Sequence, residues 1–307
     1  MLRYRGRLAP SPTGRLHIGT ARTAIVAWLA ARKQKGTLVL RVEDLDPPRV
    51  MAGAAEAIAD DLRWLGLNWD EGPDVGGADG PYVQSARATQ YEGALAGLLA
   101  AGRLYPCTCS RKEVALASSA PHGDLGPVYP GTCRAAPSHP GRPAALRFRM
   151  DAEVEAFVDR VHGRVTPTRA DDFVVKRADG LYAYQLAVVV DDIAMGITEV
   201  VRGDDLLTST PWQIALHRAL GATPPAFLHV PLVLGPDGER LAKRHGACAI
   251  ADYRAAGWPP ERVVGRLAHT LGLASQDEAC RPVNLVDRFD VGRLPKTPTV
   301  LDSSWVL

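Results

Sequence analysis

The stretch LAPSPTGRLHIGT, from Leu8 to Thr20, has the residue types that bind a phosphate group at the start of a helix. It joins a short apolar segment to a long alanine-rich one, so it predicts a strand, a tight turn and a helix. Gly19 leaves room for a flat ring against the backbone. His17 would lie at the positive end of the helix dipole and donate a hydrogen bond to a polyphosphate. The pattern alone favours the other interpretation, a histidine that merely caps its own helix.

Three acidic residues, Glu43, Asp44 and Asp46, follow a second predicted strand. That strand, 37–42, is a nearly continuous apolar run, which is typical of a parallel strand buried on both faces. In open parallel sheets, ligands bind at the carboxyl ends of the strands. The carboxylates therefore predict a metal site, a cap for the following turn, or a group that holds the ammonium of a substrate.

Arg202 lies in a similar position, near the end of a further predicted strand, 197–205. An ion pair with Asp204 or Asp205 would explain it without any ligand. Its planar guanidinium is also well shaped to bind a substrate carboxylate through two hydrogen bonds. The residues themselves favour neither interpretation.

A basic loop, ERLAKRHG at 239–246, follows the tight turn GPDG. Short runs of charge usually lie on the surface in contact with water, and this is the simpler interpretation. The loop also follows a predicted strand, so its lysine and arginines could reach a phosphate whose negative charge grows in a transition state.

The segment 106–143 is rich in proline, glycine, serine and cysteine, which predicts an insertion without a large core of its own. It contains three of the five cysteines, namely Cys107, Cys109 and Cys133. Three thiolates favour a structural zinc site in a reducing compartment, and three buried free thiols are the alternative. Tetrahedral zinc needs a fourth ligand. Because imidazole is the commoner ligand, chemistry alone favours His122 or His139 over Tyr129.

Helical and strand-like segments alternate around these motifs, which predicts an α/β protein with a doubly wound parallel sheet. The apolar run 183–190 predicts a strand covered on both faces, where the sheet resumes after the insertion. We divide the chain into half of an α/β domain, an inserted domain with the zinc site, the second half, and the basic loop with a small helical subdomain: 1–104, 105–178, 179–236 and 237–307. The other predicted helices are 19–35, 54–65, 87–102, 212–220 and 261–271, and the other strands are 4–9, 173–176 and 227–234.

The composition is that of a globular chain, with 307 residues, 46% of them hydrophobic, and a formal charge of +2. With such a small net charge, contact with RNA would depend on a local basic patch. The sequence shows neither a secretory leader nor an apolar run of membrane-spanning length, so we expect a cytoplasmic protein.

Taken together, these motifs resemble the glutamyl branch of the class I aminoacyl-tRNA synthetases. The block RLAPSPTGRLHIG carries the HIGH signature of that family in the form HIGT, and RVEDLD at 41–46 follows it. RLAKR at 240–244 resembles the second signature, KMSKS, although Ala242 stands where the family usually has serine. The resemblance covers nearly the whole chain. It implies a Rossmann-type catalytic domain that converts glutamate and ATP to glutamyl-adenylate and then passes the glutamyl group to an RNA.

The resemblance also implies roles for individual residues. His17 and Lys243 would be the catalytic residues that stabilise the phosphates, with Gly19 at the ATP site and Mg2+ bound to ATP. The L-glutamate site would consist of Arg7, Leu8, Ala9, Pro10, Ser11, Glu43, Tyr184 and Arg202.

The zinc ligands implied by the resemblance differ from those that chemistry alone favours. The family binds zinc through a Cys-x-Cys pair, a tyrosine and a cysteine four residues after it. The matching residues are Cys107, Cys109, Tyr129 and Cys133, so Tyr129 takes the place of a histidine.

The acceptor is implied by the length of the chain. It ends about where full-length members continue into an anticodon-binding region, so the resemblance is to the truncated paralogues of the branch. This implies glutamate activation without tRNA, and queuosine in the anticodon loop of tRNA(Asp) as the acceptor; we expect a monomer. The nearest rival is a synthetase that charges a tRNA 3′ end. A nucleotidylyltransferase and an inactive zinc-bearing RNA-binding paralogue are the others.

Overall fold

The first hundred residues form, in order, a strand, a helix, a strand and two helices, as the sequence predicts. The computed structural model describes residues 3–117, 126–151, 153–169, 171–239, 241, 248–302 and 305. Within these ranges no helix is long and apolar enough to cross a lipid bilayer. The strands are β1 (Arg5–Leu8), β2 (Thr37–Leu40), β3 (Leu104–Cys107), β4 (Ala145–Phe148), β5 (Phe157–Asp159), β6 (Gly163–Val165), β7 (Phe173–Lys176), β8 (Glu199–Gly203), β9 (Ala226–Val230), β10 (Val233–Leu234) and β11 (Thr299–Val300). The helices are α1 (Ile18–Lys33), α2 (Ala54–Trp64), α3 (Ala88–Ala100), α4 (Arg111–Ala117), α5 (Tyr184–Ala194), α6 (Thr210–Ala219), α7 (Ile250–Ala255), α8 (Pro260–Thr270) and α9 (Pro282–Leu285).

Parallel strands form the centre of the fold. β1 pairs with β2, and β9 pairs with both β8 and β5, in each case in parallel. β1 and β8 lie side by side, because the backbone N–H of Thr198 donates to the carbonyl of Arg5 at 2.8 Å. Further along both strands, the Arg7 side chain donates to the carbonyl of Val201, so the two run in the same direction. The predicted α/β class with a parallel sheet is confirmed.

The run 183–190 is helical, and the prediction of a strand there is wrong. It forms most of α5, in which residues 186–192 are all buried. A helix that is buried on every side shows no amphipathic pattern, so over eight residues it cannot be told from a buried strand. The two aspartates that follow the run belong to the helix and do not mark the end of a strand.

The predicted strand 227–234 is divided into β9 and β10. Pro231 lies between them, and proline has no N–H to donate to a strand ladder. β10 pairs in parallel with β11, so the C-terminal segment is hydrogen-bonded to the residues that follow β9.

The segment that contains the cysteines has a different architecture. β3, β4 and β7 form an antiparallel sheet in that order. A small apolar cluster lies beside it and consists of Tyr105, Cys107, Val114, Tyr129 and Cys133. The cluster is much smaller than the core around α1, in line with the prediction that this segment has no large core of its own.

Asp191 of α5 binds three other side chains in the interior. Its carboxylate accepts hydrogen bonds from Arg87 Nε at 2.5 Å, Gln84 Nε2 at 2.7 Å and Tyr91 Oη at 2.9 Å. All four side chains are buried. The carboxylate therefore fixes α5 to α3 and to the segment that leads into it.

We expect Asp191→Ala to lower the free energy of unfolding by about 3 kcal/mol or more, because the buried Arg87 guanidinium would lose its ion pair. Urea unfolding measures the change. The matched control is Asp151→Ala, whose exposed carboxylate pairs with Arg103, and it should cost less than about 1 kcal/mol. Equal losses in the two variants would contradict a stabilising role for the buried network.

Candidate active site

A cavity of about 680 Å3 lies at the carboxyl edge of the parallel sheet. Leu241, in the basic loop, lines this cavity. So do the residues predicted for the glutamate and ATP sites, except Lys243, which lies outside the described residues. They are Arg7, Leu8, Ala9, Pro10, Ser11, His17, Gly19, Glu43, Tyr184 and Arg202. The fold thus brings residues from distant parts of the chain to one cavity.

His17 is the N-cap residue of α1, and its exposed side chain lines the cavity. The side chain makes no hydrogen bond with the backbone of the helix, so the interpretation that it merely caps α1 is wrong. The backbone on either side is held from outside the helix. The N–H of Ile18 donates to the carbonyl of Cys248 at 3.0 Å, and that of Ile250 donates to Leu16 at 2.8 Å. His17 is thereby placed at the positive end of the helix dipole, facing the cavity.

The three acidic residues after β2 have separate partners. Glu43 is buried and accepts a hydrogen bond from Arg41 Nη2 at 2.9 Å. Asp44 accepts from the backbone and the hydroxyl of Ser85, at 2.7 and 2.6 Å, whereas Asp46 pairs with Arg49. In the described part of the chain, the metal-site geometry is found at the cysteines and not at these carboxylates, so the metal interpretation is wrong here.

Glu43 is the carboxylate of this group that lines the cavity. Burial raises the pKa of its carboxyl, and the positive charges of Arg41 and Arg7 act against this. Arg7 is itself buried and donates from Nη1 to the carbonyl of Val201 at 2.7 Å. The Arg7 Nε atom lies 3.7 Å from Asp192 Oδ1 and has no hydrogen-bond partner among the described residues.

Arg202 is buried and is held by neutral groups. Its Nη1 donates to Gln213 Oε1 at 2.6 Å, its Nη2 to Thr210 Oγ1 at 2.9 Å, and its Nε to His229 Nε2 at 3.0 Å. Among the described residues no carboxylate lies within ion-pair distance of it, so the predicted alternative, a pair with Asp204 or Asp205, is wrong. Burial lowers the pKa of the guanidinium, although Tyr184 nearby acts against this.

Asp159 and His229 lie behind Arg202 and were not predicted from the sequence. Asp159 Oδ2 lies 2.7 Å from His229 Nδ1, and both side chains are buried. Burial, together with the charges of Arg202 and His162, lowers the pKa of His229 to about 4, against the opposing effect of Asp159. The one sequence signal was a histidine in an otherwise apolar strand.

We expect the free energy of unfolding to fall by roughly 3 kcal/mol on account of His229 as the pH is lowered from about 6.5 to about 4. In this window the unfolded chain protonates the imidazole, whose ordinary pKa is 6.5, whereas the folded chain keeps it neutral. Urea unfolding at several pH values measures the fall. His229→Gln cannot take up this proton and should lose less stability over the same window. An identical pH dependence of the two proteins would contradict the low pKa.

The three predicted cysteines come together at one point. The sulfur atoms of Cys107, Cys109 and Cys133 all lie within 4.8 Å of one another. Tyr129 Oη lies 3.4 Å from Cys107 Sγ and accepts a hydrogen bond from the backbone N–H of Cys133 at 2.8 Å. The tyrosine hydroxyl is therefore next to the three thiols.

The local environment favours a thiolate at one of these cysteines. Burial alone would raise the pKa of Cys133, but hydrogen bonds from the side chain and backbone of Ser138 and from Thr108 lower it to about 5. Arg147 adds a positive charge, since its Nε lies 3.2 Å from Cys107 Sγ. The chemistry of this donor set, three sulfurs and a phenol oxygen, fits a tetrahedral zinc ion.

The histidines that chemistry alone favoured do not join this group in the described structure. His139 Nε2 lies 2.9 Å from Glu113 Oε1 and so pairs with a carboxylate. His122 lies outside the described residues. The tyrosine implied by the family resemblance is thus the residue found beside the sulfurs.

A second cavity, of about 1090 Å3, lies between the first cavity and the cysteines. Four residues line both cavities: Ser11, Glu43, Arg49 and Tyr184. Arginines contributed by several elements line the remainder, some of them paired with aspartates: Arg111, Arg147, Arg169 and Arg177. Carboxylates line the same cavity, among them Asp46, Asp171, Asp172 and Asp179, so its arginines are interspersed with acidic groups.

Comparisons with known proteins give a consistent result. A family model described as tRNA synthetases class I (E and Q), catalytic domain, matches residues 3–305. The chain is 55% identical to the glutamyl-Q tRNA(Asp) synthetase of Symbiobacterium thermophilum, over 95% of this chain and 94% of that protein. It is 50% identical to the protein of the same name from Nitratidesulfovibrio vulgaris, over 96% and 95%.

A solved structure shows the same fold. The crystal structure of a glutamate tRNA ligase from Elizabethkingia meningosepticum, in complex with its amino acid, matches with a TM-score of 0.85 and 28% sequence identity. The match covers 99% of this chain and 68% of that one. The similarity therefore includes both the parallel sheet and the segment that carries the cysteines.

Proposed function

Because the chain belongs to the family of class I tRNA synthetases (E and Q), we propose that it is a ligase that activates L-glutamate with ATP and transfers it to queuosine in the anticodon loop of tRNA(Asp). Two relatives that share half or more of its residues are named glutamyl-Q tRNA(Asp) synthetases. The observation that carries the proposal is the buried Arg202 guanidinium, which lines the cavity and has neutral partners in the described chain.

Glutamate would bind with its side-chain carboxylate at Arg202. The charge of this arginine is desolvated, so a neutral glutamine amide would leave it without an anion, and the site would select glutamate. Glu43 would accept the ammonium group of the substrate, and Tyr184 lies beside both charged groups. The segment 7–11 would line the rest of the amino-acid site.

ATP would bind at the start of α1, with its phosphates near His17 and its ring near Gly19. An oxygen of the glutamate α-carboxylate attacks the α-phosphate, the bond to pyrophosphate breaks, and glutamyl-adenylate forms. Such a displacement depends on position and on stabilisation of charge, so it needs no protein nucleophile. Lys243 of the second signature would add a positive charge to the phosphates. Mg2+ bound to ATP would help to neutralise the leaving pyrophosphate.

The acceptor RNA would reach the activated glutamate through the second cavity. This cavity shares Glu43 and Tyr184 with the first, and its lining includes arginines, which suit a phosphate backbone, interspersed with carboxylates. In the domain division that we propose, 1–104 and 179–236 would supply most of the glutamate and ATP sites and 105–178 most of the second cavity. The segment 237–307 would supply the basic loop with Lys243 and the small helical subdomain.

We expect labelled glutamate to appear on tRNA(Asp) that contains queuosine and not on the same tRNA without it. The enzyme should also catalyse glutamate-dependent exchange of pyrophosphate into ATP without any tRNA. tRNA(Glu) serves as the control acceptor and should remain unlabelled. Labelling of tRNA(Glu), or exchange that strictly requires tRNA, would favour a synthetase that charges 3′ ends, and no exchange at all would favour an inactive paralogue.

We also propose that Cys107, Cys109, Tyr129 and Cys133 hold one structural zinc ion. The ion would connect β3 to the segment 129–133, where the small apolar cluster supplies little packing of its own. A structural zinc contributes directly to the stability of such a segment.

The protein as purified should contain about one zinc ion per chain, measured by atomic emission, as expected for one closed four-ligand site. Cys109→Ser should lower both the zinc content and the melting temperature. The matched control is Cys280→Ser, which removes a buried thiol outside the cluster and should leave the zinc content unchanged. A wild-type protein that binds no zinc when metal is supplied would disprove the site.

A further inference from the structure

We propose that Asp159 and His229 are positioning residues that hold the Arg202 guanidinium ready for the side-chain carboxylate of glutamate. In this arrangement His229 is a neutral hydrogen-bond acceptor whose tautomer is set by Asp159. The inference rests on the proposed function, since it assigns a task to residues behind the proposed glutamate site. It concerns substrate selection and not the chemical step.

The three residues lie on adjacent strands. Arg202 of β8 and His229 of β9 are direct partners in the parallel pairing, and Asp159 of β5 pairs with Phe227, two residues before His229. The contacts run in sequence from Asp159 Oδ2 to His229 Nδ1 at 2.7 Å, and from His229 Nε2 to Arg202 Nε at 3.0 Å. Groups held on paired strands keep their mutual distances better than groups on loops.

The hydrogen bonds around Asp159 determine which nitrogen of His229 carries the proton. Asp159 Oδ1 accepts from the backbone N–H groups of Val161 and His162, both at 2.9 Å, and Oδ2 accepts from the backbone N–H of His229 at 3.1 Å. An ionised carboxylate only accepts, so Nδ1 of His229 must donate to it. Nε2 then carries one lone pair, which receives the N–H of Arg202 at 3.0 Å. The Thr210 hydroxyl, 3.2 Å from Nε2, can donate instead to the carbonyl of Leu206.

Neutral partners suit the task of Arg202. Three of its nitrogen atoms are fixed by His229, Gln213 and Thr210, and none of these groups cancels its charge. A carboxylate in the place of His229 would pair with the guanidinium and compete with the substrate. The negative charge of Asp159 lies behind His229. From there it helps to stabilise the buried Arg202 guanidinium without forming an ion pair with it.

Two amide variants of His229 separate its two contacts. An asparagine amide reaches about as far as Nδ1, so His229→Asn keeps the contact with Asp159 and loses the acceptor for Arg202. A glutamine amide reaches about as far as Nε2, so His229→Gln can keep that acceptor. The assay is glutamate-dependent pyrophosphate exchange, with the KM for glutamate, the KM for ATP and kcat measured separately.

His229→Asn should raise the KM for glutamate about tenfold or more, as expected when a charged group loses one hydrogen bond, with little change in kcat or the KM for ATP. His229→Gln should have a KM for glutamate close to that of the wild-type protein. The matched control is His269→Asn, at an exposed position on α8, which should leave all three parameters unchanged. An unchanged KM for glutamate in His229→Asn would overturn the proposal, and so would equal changes in the KM values for glutamate and ATP.

A double-mutant cycle tests the role of Asp159 and also serves if His229→Asn does not fold. In Asp159→Asn, an amide NH2 turned toward Nδ1 would force the proton of His229 onto Nε2, where it meets the N–H of Arg202. The KM for glutamate should rise in the wild-type background and should not rise further in the His229→Gln background, because glutamine has no tautomer. A rise of equal size in both backgrounds would show that Asp159 is merely structural.

Arg202→Gln separates failure of this inference from failure of the proposed function. If Arg202→Gln leaves the KM for glutamate unchanged, then Arg202 does not bind the substrate and the proposed glutamate site is wrong. If Arg202→Gln raises that KM and neither His229→Asn nor Asp159→Asn does, then the glutamate site stands and only the positioning role is wrong.

Discussion

The buried ion pairs of Arg41 hold together two elements of the candidate active site, the end of β2 and helix α5. Arg41 is completely buried, and its guanidinium lies 2.7 Å from Asp192 and 2.9 Å from Glu43. Separating Arg41 from Asp192 would weaken the compensation of both buried charges, so the segment that follows β2 is held against α5. Glu43 lies two residues after Arg41, and Tyr184 is the first residue of α5. Both side chains line the cavity. The packing of the sheet against α5 thus determines where Glu43 and Tyr184 lie in the cavity.

Two buried arginines in this protein illustrate how partners decide a role. Carboxylates surround Arg41, so its charge is satisfied within the fold. Neutral oxygen and nitrogen atoms surround Arg202, so its charge is available to an anion from outside. Residue type and burial are the same in the two cases. The difference is the charge of the neighbouring groups. Together with the position of Arg202 on the cavity, it supports the proposal that Arg202 binds an anionic ligand.

Local patterns indicate His17, Glu43 and Arg202 as candidates, because they lie near the start of a helix or the end of a predicted strand. The roles of Arg7 and Tyr184 come from the family resemblance alone. The prediction of a strand for 183–190 fails because a fully buried helix and a buried strand have the same apolar composition. Asp159 and His229 leave almost no local signal, since the contacts that connect them to Arg202 form only after three strands have paired. Contacts of this kind are set by tertiary structure, and a single sequence does not encode them in any short pattern.

The helix that begins at the first signature motif also holds the segments that flank the basic loop. Arg22 of α1 is buried and donates to the carbonyls of Pro231 at 2.7 Å and Thr270 at 3.0 Å. One contact lies where the chain leaves β9 toward the basic loop, and the other lies at the end of α8. Cys248, which follows that loop, accepts a hydrogen bond from Ile18 of the same helix. The chain is therefore fixed to α1 both before and after the basic loop, by the same helix that places His17.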